Sequence, residues 1–291
     1  MNDIIAFYEA HIVGFVAVTG LVGLLVGSFL NVVILRLPVI LERTWKRECQ
    51  EWLGNGDETG AEAEPFNLMV PRSKCPKCGH KITALENIPV ISWLVLRGKC
   101  RECGTRISIQ YPLIELTAAV MAMVVAAYFG VTWMTLAALG LTWALIALSV
   151  IDIRTQLLPD VITLPLLWAG IIVNFNGLFT DLESAVLGAI FGYMSLWTVY
   201  QLFRLLTGKE GMGFGDFKLL AALGAWLGWQ FLPLIILLSA VVGAAVGIAM
   251  IVFRGRDRNI PIPFGPYLAG GGWIALLWGE QIMRAYLGPS F

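Results

Sequence analysis

Eight apolar stretches dominate this chain, near residues 12–35, 112–130, 133–151, 158–176, 182–203, 216–229, 231–253 and 264–287. A hydrocarbon core of about 30 Å asks for roughly 20 helical residues. Backbone in lipid must also satisfy its own hydrogen bonds, so long apolar runs without turn punctuation predict helices rather than barrel strands. The sixth stretch is short and tied closely to the seventh through Trp229–Pro233. Only 14% of the 291 residues are charged and 58% are hydrophobic, against about 25% charged in a soluble domain. That excludes a small soluble enzyme and a disordered chain. Twenty basic residues balance twenty acidic ones, which argues against nucleic-acid binding by phosphate neutralisation. The expected fold is an all-α polytopic membrane protein of about eight transmembrane helices.

Polarity is concentrated in one place. Residues 36–111 hold 12 of the 20 basic residues, 9 of the 20 acidic ones and all five cysteines. The expected organisation is a first transmembrane helix within 1–35, an insert at 36–111 and a seven-helix membrane body at 112–291. The first apolar stretch is too long for a removable signal, and Met1–Ala10 lacks Lys and Arg. With the insert in the cytoplasm, the inner joints hold Arg154, then Arg204 and Lys209, then Arg254, Arg256 and Arg258. The outer joints near 130–132, 177–181 and 229–230 hold no basic residue. The positive-inside rule then places both termini outside. Gly-rich stretches at Gly20–Gly27, Gly188–Gly192 and Gly243–Gly247 read as ordinary close helix packing.

Within the insert, Cys75-Pro76-Lys77-Cys78 and Cys100-Arg101-Glu102-Cys103 are two CxxC pairs separated by 21 residues. Two such knuckles can aim four thiolates at one tetrahedral ion. Gly79 and Gly104 follow each pair, where a tight turn favours glycine. Zinc is the leading assignment, in a structural role because four thiolates leave no position for water. Two disulfides and an iron–sulfur centre are the other readings. Cys49 reads as an incidental thiol, and His80 as a residue beside the knuckle rather than a ligand. Ile88–Leu96 reads as an apolar packing segment, and residues 50–66 as a flexible acidic loop.

Asp152 ends the apolar run Leu141–Ile151, and Asp216 opens another within Gly213-Phe214-Gly215-Asp216-Phe217-Lys218. Both fall at cytoplasmic membrane joints in the topology above. Taken singly, Asp152 can be neutralised by Arg154 and Asp216 can cap its helix. Taken together, facing carboxylates oppose double ionisation, so one stays anionic while the other holds a proton. That division suits peptide hydrolysis: one acid takes a proton from water and the other donates to a carbonyl oxygen or departing amine. His11 and His80 are the only histidines and neither lies near these joints. No HExxH, P-loop or Ser/His/Asp arrangement competes.

These motifs occur in an order that resembles the type IV prepilin leader peptidases with N-methyltransferase activity, a family of bacterial inner-membrane aspartic proteases. Gly27-Ser28-Phe29-Leu30-Asn31-Val32-Val33 with Arg36-Leu37-Pro38 is similar to its opening signature. The CxxC pairs, Ile88-Pro89-Val90-Ile91-Ser92-Trp93, Arg97-Gly98-Lys99-Cys100 and Tyr111-Pro112-Leu113-Ile114-Glu115-Leu116 follow in order. Asp152 through Pro159-Asp160, and the GxGD stretch ending in Asp216 with Lys218, complete it. The resemblance implies that Asp152 and Asp216 are the catalytic pair. It implies cleavage of the basic leader of type IV prepilins and type II secretion pseudopilins, after Gly and usually before Phe. Methylation of the new α-amine by S-adenosylmethionine would follow. Gly98, Lys99 and Glu115 are the methyl-donor candidates by the same resemblance, while a turn, a solvated lysine and a helix cap are the plain readings. No Rossmann glycine fingerprint is present. Lys218 can orient substrate or neutralise nearby charge. A GxGD peptidase without methylation and an ion-coupled transporter are the competing functions.

Overall fold

The computed structural model describes residues 11–53, 66–209, 211–254 and 262–288. Two compact units divide the chain, 1–127 and 128–291. The described residues are helical apart from isolated bridges and connecting loops, and every apolar stretch of the sequence contributes a helix.

In the first unit, α1 runs over Ile12–Trp52, α2 over Ile91–Val95 and α3 over Gln110–Phe129. α1 continues well past Leu35, where the apolar stretch ends. Its 41 residues span about 60 Å at 1.5 Å per residue, roughly twice a hydrocarbon core. The polar half stays helical because Leu, Glu, Arg and Lys are good helix formers, and the Lys46–Glu42 pair bridges one turn at 2.6 Å. Pro38 is accommodated within it. α1 and α3 approach closely: a Cβ at Gly27 would lie 2.7 Å from Glu115 Cα. Most of the acidic loop expected at 50–66 lies outside the described residues.

The second unit contains α4 (Trp133–Thr155), α5 (Asp160–Val173), α6 (Leu182–Thr207), α7 (Phe214–Leu227), α8 (Leu232–Arg254) and α9 (Gly265–Leu287). α7 is its core. All residues from Leu219 to Leu227 are buried, with α5, α6 and α9 packed around them. An all-apolar helix has no preferred face, so burial on every side is its stable placement. Asn174, itself fully buried, ties down the end of α7. Its Nδ2 donates to the carbonyls of Ala225 and Trp226, and its Oδ1 accepts from the amides of Phe179 and Thr180. Carbonyls left over at a helix C-terminus are thereby satisfied inside an apolar core.

Five helices among the described residues are long and apolar enough to cross a membrane: Ile12–Trp52, Gln110–Phe129, Trp133–Thr155, Leu182–Thr207 and the Trp229–Phe253 segment. The last leaves Leu237, Val241, Val242, Ile248, Val252 and Phe253 exposed. Its apolar side chains are therefore not covered by protein, and surfaces of that extent call for lipid. α5 and α7 have 14 residues each, about 21 Å of helix, which is less than a straight span.

The tightest helix contact joins α6 to α7. A Cβ at Gly188 would collide with the Gly224 carbonyl, and one at Gly192 would lie 2.6 Å from the Leu220 oxygen. Small residues at this spacing let backbones touch, as the Gly188–Gly192 stretch predicts. Gly188→Ala is expected to destabilise the folded protein by about 1–3 kcal/mol. Gly140→Ala, whose added methyl meets nothing within 4 Å, serves as the control. Thermal unfolding in detergent reads the difference, and equal midpoints would contradict this packing.

Candidate functional site

Asp152 lies in the last turn of α4 and Asp216 in the first turn of α7. Both are buried, 5% and 7% exposed, and the two carboxylates are close enough to repel one another. Thus two acids 64 positions apart in the chain are folded into one buried place. Each has a helix N-terminus for company. The Gly265 amide, first in α9, donates to Asp152 Oδ2 at 3.0 Å, where the positive end of the helix dipole favours an anion. Asp216, three residues beyond the N-cap Gly213, turns its carboxylate back toward the Gly213 amide, in the manner of a capping box.

The glycines around the pair make room for it. A Cβ at Gly265 would lie 2.8 Å from Asp152 Oδ2, and one at Gly215 would lie 2.7 Å from Leu158 Cβ. Leu158 packs against both glycines, so it separates the starts of α7 and α9 beside the acids. Lys218 is engaged by Asp160, with its Nζ 2.7 Å from each carboxylate oxygen. Neutralising a nearby charge is therefore the role the structure gives it. The sequence reading did not find Gly265; the helix-start signal Phe264-Gly265-Pro266 was the available clue.

The four knuckle cysteines converge in the first unit. All four Sγ atoms lie within 4.8 Å of one another, with Cys75–Cys103 at 3.7 Å and Cys78–Cys100 at 3.9 Å. Tetrahedral coordination at a metal–sulfur distance of about 2.3 Å requires sulfurs about 3.8 Å apart. Disulfides, at about 2.05 Å, are absent: the cysteines are free. Gly79 and Gly104 take the positive φ values of 74° and 66° that close the knuckles. Thr105 donates to Cys103 through its hydroxyl and amide, which holds that thiol down at about 6. Cys78 receives the His80 amide, yet desolvation and the neighbouring sulfurs push it up to about 12. Without a cation the cluster cannot hold four anions, so a divalent ion is the partner its chemistry asks for.

His80 is not a ligand. Its Nε2 lies 3.2 Å from Glu86 Oε2. Glu86 also accepts from the Thr83 amide and hydroxyl, both at 2.9 Å. Those contacts, the Thr83 amide first, hold the Glu86 carboxyl down at about 2. The Ile88–Leu96 segment is tied down by hydrogen bonds, the Val90 amide on Glu115 Oε2 at 2.7 Å and Trp93 Nε1 on the Ile107 carbonyl at 3.3 Å. Ile88, Ile91, Leu94 and Val95 nevertheless stay exposed, so the apolar packing expected of it is not seen.

A cavity of about 580 Å³ opens between the knuckles, α1 and α3. Glu115 lines it, whereas Gly98 and Lys99 do not. Gly98 sits at positive φ against Trp93, and Lys99 bridges to Arg106. α1 lines the cavity with Ser28, Asn31, Val32, Leu35 and Arg36, one face at helical spacing. Arg36 reaches across to the carbonyls of Asn67 and Pro71, at 3.0 and 2.6 Å. Asn31 is not a site residue by the sequence reading, although two polar residues one helical turn apart in an apolar run, Ser28 and Asn31, are a legible signal.

Comparison with known proteins agrees in both halves. Residues 21–129 match the bacterial peptidase A24 N-terminal domain and residues 139–248 match the type IV leader peptidase family. The chain belongs to the type IV leader peptidase family. A relative from Aeromonas hydrophila is 58% identical over 92% of each chain. One from Pseudomonas aeruginosa is 56% identical over 97% of this chain and 96% of its own. Another, from Burkholderia pseudomallei, is 52% identical over 88% and 83% respectively. Each is named prepilin leader peptidase/N-methyltransferase. No solved structure matches the chain. The apolar helices and bacterial relatives together describe a multi-pass membrane protein of the leader peptidase family.

Metal analysis of the freshly purified protein is expected to give about one divalent ion per chain. Cys78→Ser should lose it and expose the insert to limited proteolysis. Metal-free protein with a protease-resistant insert would contradict the cluster's role.

Proposed function

We propose that this chain cleaves the basic leader of type IV prepilins and type II secretion pseudopilins, after Gly and usually before Phe, and then N-methylates the new terminal residue. The relatives named for both activities cover nearly the whole chain. The observation that carries the peptidase half is the meeting of Asp152 and Asp216, buried and mutually repelling, one at the end of α4 against the first amide of α9 and the other in the first turn of α7.

The reaction asks for an anion and an acid together. One carboxylate removes a proton from water as its oxygen attacks the scissile carbonyl. The other donates its proton to the carbonyl oxygen; the proton taken from water then passes to the departing amine, and a hydroxyl proton of the collapsing gem-diol returns to the acid. The Gly265 amide holds Asp152 Oδ2 in place, and the Gly213 amide orients Asp216. The Lys218–Asp160 pair, 2.7 Å apart, keeps the lysine's charge satisfied. Burial excludes bulk water, which strengthens each of these contacts.

The membrane arrangement follows the charge distribution. The chain crosses the bacterial inner membrane eight times, with the insert in the cytoplasm, both termini periplasmic and the aspartates near the cytoplasmic face. A pilin precursor can then keep its apolar helix in lipid while its basic leader reaches the acids. α7 crosses as a short helix within the packed body, whereas α5, equally short, keeps Val161, Leu164, Trp168 and Ile172 exposed toward lipid.

Zinc in the four-cysteine cluster is structural. Its ligand set is closed, so its contribution is folding energy for a polar insert with little core. When bound, S-adenosylmethionine supplies an electrophilic methyl group for the amine. Gly98, Lys99 and Glu115 remain the candidate residues for that half, and Glu115 is the one that faces a cavity.

Asp152→Asn and Asp216→Asn should each reduce cleavage of a matched prepilin by about 100-fold or more, the scale of general acid–base catalysis. Unchanged zinc content and unfolding midpoint would show that the variants are folded. Cleavage at the native rate by either variant would remove the paired-acid assignment. Intact mass of the product tests the second activity, since a native precursor cut without gaining a methyl group would leave a peptidase alone.

A further inference from the structure

The cavity of the first unit has one wall that lacks something. Asn31 is 3% exposed, and its Nδ2 donates to the carbonyls of Gly27 and Tyr111 at 3.3 and 3.1 Å. Those two bonds settle the orientation of the amide, because exchanging its oxygen and nitrogen would set oxygen against two oxygens. Asn31 Oδ1 is left buried without a partner, a condition that native interiors rarely tolerate. One helical turn along α3 from Tyr111, Glu115 is also buried, at 7% exposed. It accepts from the Val90 amide, with the Ser28 side chain beside it. A carboxylate has about four lone-pair sites, so acceptor capacity remains. Both residues line the cavity. This wall offers acceptors and a carboxylate, while Arg36 beside them on α1 is turned to the carbonyls of Asn67, Leu68 and Pro71.

The opposite chemistry lies elsewhere on the lining. Arg72, Lys74, Arg101 and Arg106 line the cavity and form no ion pair among the described residues. Trp93 and Tyr111 add aromatic rings. A ligand matching these walls carries a cationic multi-donor group at one place, an anion at another and an aromatic base. About 580 Å³ is within the range of small-molecule sites. A nucleotide phosphate does not suit the acceptor wall, because Glu115 would repel it. An amino-acid zwitterion attached to a nucleoside suits all three features.

We propose that this cavity holds S-adenosylmethionine, with Asn31 Oδ1 and the Glu115 carboxylate receiving the α-ammonium of its methionine end. The assignment rests on the methyltransferase reading above and adds to it a location and a residue, Asn31. An ammonium presents three donors, enough to satisfy the orphaned oxygen and the carboxylate together. The cationic residues then face the ligand's carboxylate, and the aromatic rings face its adenine.

The test is equilibrium binding by titration calorimetry to the full-length, metal-loaded protein in detergent, with two probes. S-adenosylhomocysteine keeps the amino-acid end. 5′-Methylthioadenosine keeps the nucleoside and thioether but lacks that end. Asn31→Leu and Glu115→Gln should each weaken S-adenosylhomocysteine about 10- to 100-fold, the scale of a hydrogen bond to a charged group. Neither should change the affinity for 5′-methylthioadenosine, which also shows that the cavity is still folded. Asn31→Asp, which keeps an acceptor, should bind S-adenosylhomocysteine more tightly than Asn31→Leu.

Equal losses for both probes, or an unchanged affinity for S-adenosylhomocysteine, would overturn the assignment. So would a defect confined to the prepilin peptide, which would give this wall to the acceptor amine instead. Methylation of a prepilin peptide by the unsubstituted protein separates the two claims. If methyl transfer occurs while these variants bind S-adenosylhomocysteine normally, only the location is wrong. If the unsubstituted protein neither methylates nor binds, the methyltransferase reading fails with it.

Discussion

Burying two carboxylates side by side is the constraint around which the second unit is organised. A charge removed from water is costly unless something replaces the water, and here backbone amides at helix starts do so. Gly265 caps Asp152 from α9, and Gly213 turns toward Asp216 at α7. Neither arrangement survives unless α7 is held rigidly. That is the work of its full burial, of the Gly188–Gly224 approach and of the Asn174 knot at its far end. The same helix is thus apolar core along most of its length and carries a buried acid, Asp216, in its first turn.

The first unit meets a different difficulty. Its insert is too polar to fold on hydrophobic burial, and four converging sulfurs give it a metal-sized nucleus instead. From that nucleus the chain returns to α3 through Val90 and Glu115, and to α1 through Arg36. These long-range contacts enclose a cavity between the four-cysteine cluster and two apolar helices. The buried Asn31 and Glu115 lie on the helical side of it, and the exposed cations belong to the insert.

Much of this was legible in the residues. Apolar length identified the helices, cysteine spacing identified the cluster, and isolated acids at the ends of apolar runs identified Asp152 and Asp216. Three things were not legible, each for a physical reason. α1 extends to Trp52 because helix propensity continues after hydrophobicity stops, so an apolar boundary is not a helix boundary. Gly265 could not be assigned to Asp152 because a backbone amide has no sequence signature and its partner is 113 residues away. The cavity escaped notice because it depends on loops between the knuckles folding over α1, which periodicity does not encode. Gly98 and Lys99, adjacent to a ligand cysteine in the chain, fall outside the cavity, while Asn31, far away in sequence, lines it.

The central claim is that two neighbouring acids divide the labour of amide hydrolysis, one as anion and one as proton donor. The pH dependence of kcat/KM for leader cleavage, measured with a prepilin peptide in detergent micelles, tests it most directly. The account predicts a rate that falls on both sides of an optimum, with two ionisations belonging to the pair. A rate that rises through one ionisation and then stays level, with no loss as the second acid ionises, would contradict it.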